Sequence, residues 1–192
     1  MYHRYSHSGN KRRKLSLIIK YILVIVVLFI AYYIYKSYNY STADQYGNII
    51  NDASKRYSID PMLIKAVIWR ESDFKKDAVG KKGEIGLMQL MTQYSVKDWS
   101  MYTDRKEPSR GLLFNPQLNI EIGTWYLAQC KKHWKNYQHP IILALAEYNA
   151  GYSNVKKWIP KNFKGNPLKL IKFPSTKKYV ETILDKYHEY KN

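Results

Sequence analysis

The stretch DPMLIKAVIWRES, residues 60–72, predicts a buried helix that carries one acidic side chain on its apolar face. Asp60 is a favoured N-cap residue and Pro61 is favoured at the first helical position, so we expect a helix over residues 61–71. Offsets of three and four residues place one set of side chains on a single face: Ile64, Val67, Ile68 and Glu71. The helix therefore delivers a carboxyl group to an apolar surface.

Glu71 is the candidate catalytic residue that this helix suggests. A carboxyl group next to apolar turns loses hydration, and desolvation favours its protonated form. A proton held near neutral pH is what a general acid needs to protonate a glycosidic oxygen. Periodicity alone favours an ordinary surface glutamate at a helix end, and the segments that follow reverse that preference.

Two downstream segments carry side chains suited to a sugar. In GEIGLMQLM, residues 83–91, Gln89 offers a donor and an acceptor that match acetamido and hydroxyl groups. In ALAEYNAG, residues 144–151, the hydroxyl of Tyr148 could orient a neighbouring acid, and its ring could support a sugar. The alternatives are a loop leading into a core helix, and a core tyrosine beside a helix end where Asn149 tolerates a tight turn.

The rest of the pattern predicts an all-α domain, since no stretch shows convincing strand alternation. A minor hairpin within the loop 78–86 is the one exception that we allow. Further helices are expected over residues 44–57, 88–99, 116–134, 140–149, 153–158 and 175–190.

The N-terminal part predicts a membrane anchor. Residues 15–35, LSLIIKYILVIVVLFIAYYIY, form a run of 21 residues, long enough for a helix to cross a hydrocarbon core of roughly 30 Å. The basic tail 1–14 before it predicts a cytoplasmic N-terminus, a stalk over 36–43 and an extracytoplasmic catalytic domain over 44–192. A cleaved signal peptide is the alternative, but the long apolar run and the bulky residues at its end favour an uncleaved, single-pass anchor.

The part beyond the anchor is basic. From residue 37 onward the chain has 25 of its 32 Lys and Arg and all 15 acidic residues, a net charge of about +10. Such a surface attracts polyanions, and outside a cell the candidate partners are anionic wall polymers and lipid headgroups rather than nucleic acid. The single cysteine, Cys130, excludes an intramolecular disulfide, and we interpret it as a small helix residue. The five histidines show no metal spacing, so no metal and no cofactor are expected.

Taken together in order, the motifs resemble the lytic transglycosylase family of the lysozyme-like superfamily over about residues 45–190. Any one motif is weak evidence, whereas their common order is strong evidence. The matching blocks are AVIWRESDF (66–74), GEIGLMQLM (83–91), LFNP with NI and GTWYL (113–127), ALAEYNAG (144–151) with Asn154, Val155 and Trp158, and a weaker PST with YV (174–180).

The resemblance implies a lysozyme-like helical domain in which Glu71 is the single catalytic acid and base. Gln89, Met91 and Tyr148 would line the sugar groove, with Asn149 nearby. It further implies cleavage of the MurNAc-β-1,4-GlcNAc bond of peptidoglycan, in which the C6 hydroxyl of MurNAc closes a 1,6-anhydro ring. Because no water is consumed, no second carboxylate is needed. Four acidic residues near the motifs are accordingly expected to be solvated or loop carboxylates: Asp73, Asp77, Glu84 and Glu147.

Three positions depart from the family pattern. Gly80 stands where a serine is common, Thr92 where a proline is common, and Ser175 where a glutamate is common. The first and the third put the fine geometry of the groove in doubt. Two alternatives therefore stay open beside the transglycosylase: a hydrolytic muramidase that uses Glu71 with a water, and a wall-binding or assembly module with weak catalysis.

Overall fold

The structure, a computed structural model, describes the backbone of residues 8–161 and 163–192, and the side chains of residues 17–35, 45–161 and 163–192. The side chains of the predicted basic tail and of the predicted stalk lie outside the described residues. The chain divides into two compact units, Met1–Thr42 and Ala43–Asn192.

The first unit contains most of one long helix, α1 (Ser8–Gln45), whose last residues, 43–45, are assigned to the second unit. Within it, Leu17–Tyr35 has a mean hydropathy of 2.7 and is long and apolar enough to cross a membrane, judged by length and composition. The large apolar side chains of this stretch are exposed along its whole length. The backbone of the predicted stalk continues the same helix.

The second unit is helical, which confirms the predicted all-α class. Its helices are α2 (Gly47–Tyr57), α3 (Pro61–Ser72), α4 (Lys97–Thr103), α5 (Pro116–His133), α6 (Pro140–Ala150), α7 (Tyr152–Trp158) and α8 (Pro174–Lys191). A π-helical turn covers Thr92–Val96, and 3-10 turns cover Arg110–Phe114 and Pro167–Leu170. Where the backbone is described, extended pairing is limited to two isolated bridges, Val79 with Ile85 and Ile85 with Leu90.

Local sequence explains where the central helices begin. The Asp60 carboxylate accepts a hydrogen bond from the Met62 amide at 2.9 Å, and Pro61 follows it as the first residue of α3. In α5 the Asn115 side chain accepts from the Leu118 amide at 3.1 Å. Side-chain acceptors of this kind satisfy amides that the first helical turn leaves without a partner.

The helices pack around one apolar core, in which α3 lies against α8, and α5 contacts both α2 and α6. Ile64, Val67 and Ile68, predicted to share the inner face of α3, have no exposed surface. Burying each such side chain contributes roughly 1.5–3 kcal/mol. The α3 face that ends at Glu71 is therefore fixed by packing on α8.

The helix predicted over residues 88–99 is wrong in its first part. Gln89 has a left-handed backbone with φ of 49°, and Leu90 pairs with Ile85 instead of continuing a helix. Helical structure starts only at Thr92. Similarly, the helix predicted from residue 44 is interrupted at Tyr46, where α1 has ended and α2 has not begun.

A buried asparagine explains why the loop before residue 92 has a fixed shape. Asn119, on α5 and fully buried, accepts from the Met88 amide at 2.8 Å. Its amide group donates to the carbonyl oxygens of Ile85 at 2.9 Å and Leu113 at 2.7 Å. These bonds supply the backbone partners that a helix would otherwise provide, because buried peptide groups need partners. Close packing adds to this, since a Cβ at Gly123 would lie 2.7 Å from the Met88 Cβ.

Candidate active site

Glu71 lies in the last turn of α3, with its side chain partly buried. Its Oε1 accepts a hydrogen bond of 2.6 Å from the Tyr179 hydroxyl, which α8 supplies. Burial raises the pKa of Glu71 to about 7, although the Tyr179 bond and the Arg70 charge favour the ionised form. The charge of Glu84 adds to the increase. Glu71 can therefore hold a proton near neutral pH, as a general acid must.

The four predicted sugar-binding residues lie together. Gln89, Met91, Tyr148 and Asn149 all line one cavity of about 300 Å³. Its other lining residues are Tyr94, Ser95, Tyr126, Ala150 and Gly151. Glu71 is not among the residues that line this cavity. Tyr148 lines the cavity, and burial raises the pKa of its hydroxyl well above the ordinary value, with the charge of Glu71 adding to the increase.

Gln89 presents one acceptor rather than a donor and an acceptor. Its side-chain amide donates to the carbonyl oxygens of Gly86 at 2.9 Å and Ala78 at 3.3 Å. The amide hydrogens are thus used within the loop, which leaves Oε1 for a ligand. A hydroxyl or an acetamido N–H of a sugar would be the matching group.

The expectation that Tyr148 could orient the acid is wrong in this structure. Its hydroxyl donates to the Met88 carbonyl oxygen at 2.9 Å, because that loop carbonyl needs a partner. Tyr179 holds Glu71 instead. In the sequence, Tyr179 appears only in the weakest family block. Because 108 positions separate it from Glu71 along the chain, no local pattern indicates their contact. Tyr148 remains available as an aromatic wall, with its ring 5.5 Å from that of Tyr126.

Asn149 is exposed, and a hydrogen bond to α8 holds its side chain. Its Oδ1 accepts from the Thr176 hydroxyl at 2.8 Å. Thr176 is buried in the first turn of α8, next to the exposed Ser175. The end of α6 and the start of α8 are therefore tied together at the cavity, beside one of the three positions that depart from the family pattern.

A second departure, Gly80, has a physical reason. A Cβ at this position would lie 2.7 Å from Gln89 Oε1 and closer still to Glu84 Oε2. Glu84 Oε2 in turn accepts from the Lys82 amide at 2.8 Å, which folds the carboxylate back over the loop. A serine at position 80 does not fit while Glu84 and Gln89 keep these positions. The sequence did not indicate this arrangement, because the side chains of Glu84 and Gln89 meet over Gly80, which has no side chain of its own.

Glu147, expected to be a solvated or loop carboxylate, is in fact buried. Only 2% of its surface is exposed. Its Oε2 accepts from Trp134 Nε1 at 2.6 Å, and its Oε1 bonds His133 Nδ1 at 2.8 Å. The reason is that α6 directs this side chain toward His133, the last residue of α5, and toward Trp134, which follows it. It holds two elements together and does not reach the cavity.

Neither Asp73 nor Asp77 lines the cavity, and among the described residues the buried Oδ1 of Asp73 has no hydrogen-bond partner. Asp73 ends α3 with a left-handed backbone, φ 52°, and Asp77 pairs with Lys76 at 3.8 Å on the surface. Among the residues that the structure describes, no group of three histidine, cysteine or acidic side chains is placed to hold a metal ion.

Comparison with known proteins supports the family indicated by the motifs. A model of the transglycosylase SLT domain family matches residues 48–171. The membrane-bound lytic murein transglycosylase C of Edwardsiella ictaluri is 33% identical over 134 residues, which are 67% of this chain and 37% of that protein. The protein of the same name from Pectobacterium atrosepticum is 33% identical over 59% of this chain and 33% of its own length.

Solved structures show the same fold. An inactive glutamate-to-glutamine mutant of the lytic transglycosylase Slt from Pseudomonas aeruginosa matches with a TM-score of 0.65 and 28% identity, over 74% of this chain and 23% of that one. The 70 kDa soluble lytic transglycosylase from Escherichia coli matches with a TM-score of 0.61 and 30% identity, over 73% of this chain and 24% of that one. The chain thus spans about a third of the length of the curated relatives and a quarter of these solved chains.

Proposed function

The chain belongs to the transglycosylase SLT domain family, and we propose on this basis that it cleaves peptidoglycan glycan strands as a lytic transglycosylase. The observation that carries the proposal is Glu71, whose pKa burial raises to about 7. The adjacent cavity has the size and the aromatic walls of a sugar-binding site. The names of the relatives support the same activity.

The proposed reaction uses one carboxyl group twice. Protonated Glu71 donates its proton to the oxygen between MurNAc and GlcNAc, and the C1–O bond breaks while the substrate N-acetyl group stabilises the cationic C1. The Glu71 carboxylate then takes the proton of the C6 hydroxyl of the same MurNAc. O6 bonds to C1, which yields the 1,6-anhydro ring and restores the protonated acid.

The contacts of Glu71 suit both steps. The Tyr179 hydroxyl occupies Oε1, so Oε2 is the oxygen left to exchange the proton. Once Glu71 is ionised, the Tyr179 bond and the Arg70 charge stabilise the carboxylate. We assign Gln89, Met91, Tyr148 and Asn149 to binding of the sugar chain, which their shared cavity supports.

One observation favours a second candidate, a hydrolytic muramidase. The charge of Glu84 adds to the raised pKa of Glu71, so a second carboxylate acts on the acid. In hydrolytic glycosidases a second carboxylate activates a water or acts as nucleophile. A muramidase would leave reducing MurNAc ends rather than anhydro ends. We rank it second, because the Glu84 carboxylate is engaged by the Lys82 amide.

We further propose that α1 anchors the domain to the outer face of a membrane in a single pass. Leu17–Tyr35 has the length and hydropathy for a span, and the basic residues before it favour a cytoplasmic N-terminus. Protease added to intact cells would then digest the domain. Protection in intact cells, with digestion only after lysis, would contradict this orientation.

The activity itself is tested on isolated cell walls with the full chain in detergent. The wild type should release soluble fragments, and Glu71→Gln should lower the rate by about 100-fold or more, since it removes general acid and base catalysis. Glu107→Gln, at an exposed glutamate outside the site, is the matched control and should keep the wild-type rate. Equal rates for the wild type and Glu71→Gln would exclude the proposed role of Glu71.

A further inference from the structure

The positive charge of the second unit is concentrated in one part of the chain. Residues 131–178 contain 11 lysines and a single acidic residue, Glu147. Residues 44–130 contain 12 basic and 11 acidic residues, and residues 179–192 contain two basic and three acidic residues. The net charge of about +10 beyond the anchor therefore comes from residues 131–178, which we call the lysine segment.

The lysines of this segment are not neutralised within the chain. Glu147 is buried and bonded to Trp134 and His133, so it does not face them. Among the described residues, none of the 11 lysines forms an ion pair with a carboxylate. Nine of them are exposed: Lys132, Lys135, Lys156, Lys157, Lys161, Lys164, Lys169, Lys172 and Lys178.

The fold gathers several of these lysines around two grooves. A groove of about 680 Å³ lies between residues 135–138 and the loop at Phe163, with Lys135 and Lys164 in its lining. A groove of about 300 Å³ is lined by Lys131, Lys132 and Lys135. Because Lys135 lines both, the two grooves adjoin, and none of the described residues that line them is acidic.

Aromatic packing holds the rest of the segment together. The rings of Trp158, at the end of α7, and Phe173, just before α8, lie 4.8 Å apart in an edge contact. Lys157 and Lys172, which precede these rings in the chain, are thereby carried on neighbouring elements. The surface that the contacts define is therefore the pair of grooves around Lys135, to which Lys131, Lys132 and Lys164 also contribute.

We propose that this surface binds the phosphodiester backbone of an anionic cell-wall polymer, with the grooves around Lys135 holding successive phosphates. The ammonium groups supply compact charges and several donors each, which suit phosphate oxygens. A chain-like ligand fits two adjoining grooves better than a single small anion does. Binding of this kind would hold the enzyme against the wall that it cleaves.

A lipid surface fits these observations less well. Peripheral membrane binding combines basic residues with exposed apolar side chains that enter the headgroup region. In the described part of the lysine segment, only Tyr152 and Phe173 are large exposed hydrophobic residues. Each already packs on a ring of its own chain, Tyr152 on His133 and Phe173 on Trp158.

The test measures binding of the full chain, in neutral detergent micelles, to inorganic polyphosphate and to walls with or without their phosphodiester polymer. The variant is Lys135→Glu with Lys164→Glu, and the matched control with the same charge change is Lys97→Glu with Lys106→Glu. Both control lysines are exposed and lie outside the segment. At low salt the groove variant should bind polyphosphate about tenfold or more weakly, and the control should change little.

Two results would overturn the proposal: equal weakening in both variants, or unchanged polymer binding in the groove variant. The inference rests on the proposed outward orientation, but its readout does not need catalysis. Glu71→Gln should bind polyphosphate like the wild type, and the groove variant should still cleave polymer-free walls. The experiment therefore distinguishes an error in the proposed polymer binding from an error in the proposed cleavage activity.

Discussion

At the scale of single residues, two neighbours act on the proton of Glu71 in opposite directions. The Tyr179 hydroxyl bonds the carboxylate and favours its charged form, whereas the negative charge of Glu84 disfavours it. Burial exceeds both effects and sets the pKa at about 7. The protonation state of the acid is thus a product of packing that its neighbours adjust.

This balance predicts the pH dependence of cleavage. The first step needs protonated Glu71, so the rate should fall as pH rises through about 7. Tyr179→Phe removes a bond to the charged form, which raises the pKa of Glu71 and moves this fall to higher pH. Glu84→Gln removes a like charge and moves it to lower pH. Rates of fragment release across the neutral range would show both shifts.

The control for these profiles is Glu107→Gln, which should leave the fall where it is in the wild type. A Tyr179→Phe enzyme that is slower at every pH, with an unmoved profile, would mean that Tyr179 only supports the fold. Shifts of the same sign for Tyr179→Phe and Glu84→Gln would contradict the electrostatic account.

The same group predicts a pH-dependent stability. Glu71 has a pKa of about 7 in the folded protein and an ordinary value of 4.5 in the unfolded chain. Its contribution to the free energy of unfolding is therefore fully present below pH 4.5 and is lost as pH rises through 7. Glu71→Gln cannot ionise, so above neutral pH it should unfold less readily than the wild type, by about 1–3 kcal/mol. Urea unfolding at acidic and alkaline pH would show this gap opening; a gap that is constant with pH would contradict it.

How far the sequence predicts the site is clear from three residues. Glu71 was indicated by the apolar helix face that it ends together with the downstream motifs, all of which can be read along the chain. The contact of Tyr179 was not, since it depends on how α8 packs on α3. Glu147 was misassigned because its partners, His133 and Trp134, lie on another element.

At the scale of elements, Asn119 supports the loop that carries Gln89. Asn119→Ala would remove the partner of the buried Met88 amide and that of the Leu113 carbonyl. The Ile85 carbonyl would lose one of its two donors and keep the Leu90 amide. We expect a loss of about 3 kcal/mol or more in the free energy of unfolding. Asn115→Ala removes one exposed N-cap bond and should cost about 1 kcal/mol. Chemical denaturation compares the two, and equal losses would contradict the assigned role of Asn119.

Gly80 provides a second test at this scale. Gly80→Ser should displace Glu84 and Gln89 and lower the rate of cleavage about tenfold, because it introduces a Cβ where their oxygens lie. Adding Glu84→Ala should restore part of that rate. Gly111→Ser, where a new Cβ meets nothing within 4 Å, is the matched control. A double variant as slow as the single one would show that the two positions are not coupled.

The elements themselves were largely predictable. Helices that begin with Asp-Pro or Asn-Pro start where expected, because the signal is local. The segment 88–99 misled the sequence analysis, because apolar spacing there reflects burial of a loop against α5. Gln89 adopts a left-handed backbone that no helical pattern indicates.

At the scale of the whole molecule, helix packing assembles the site from distant parts of the chain. The core is built from residues between Tyr46 and Ile183, and α3 and α8 meet across it. The acid comes from α3, its tyrosine from α8, and the cavity from the loop at Gln89 together with the end of α6. Composition and periodicity predict the class of fold, but only the packed structure shows which side chains meet.

The central claim is that Glu71 cleaves glycan strands without water. The most direct test incubates the full chain, and Glu71→Gln beside it, with purified peptidoglycan, and determines the masses of the released fragments. We predict fragments about 18 Da lighter than hydrolysed ones, because an anhydro ring replaces an added water, and release slowed by about 100-fold or more with Glu71→Gln. Fragments with reducing ends would contradict the non-hydrolytic mechanism, and release by Glu71→Gln at the wild-type rate would contradict the role of Glu71.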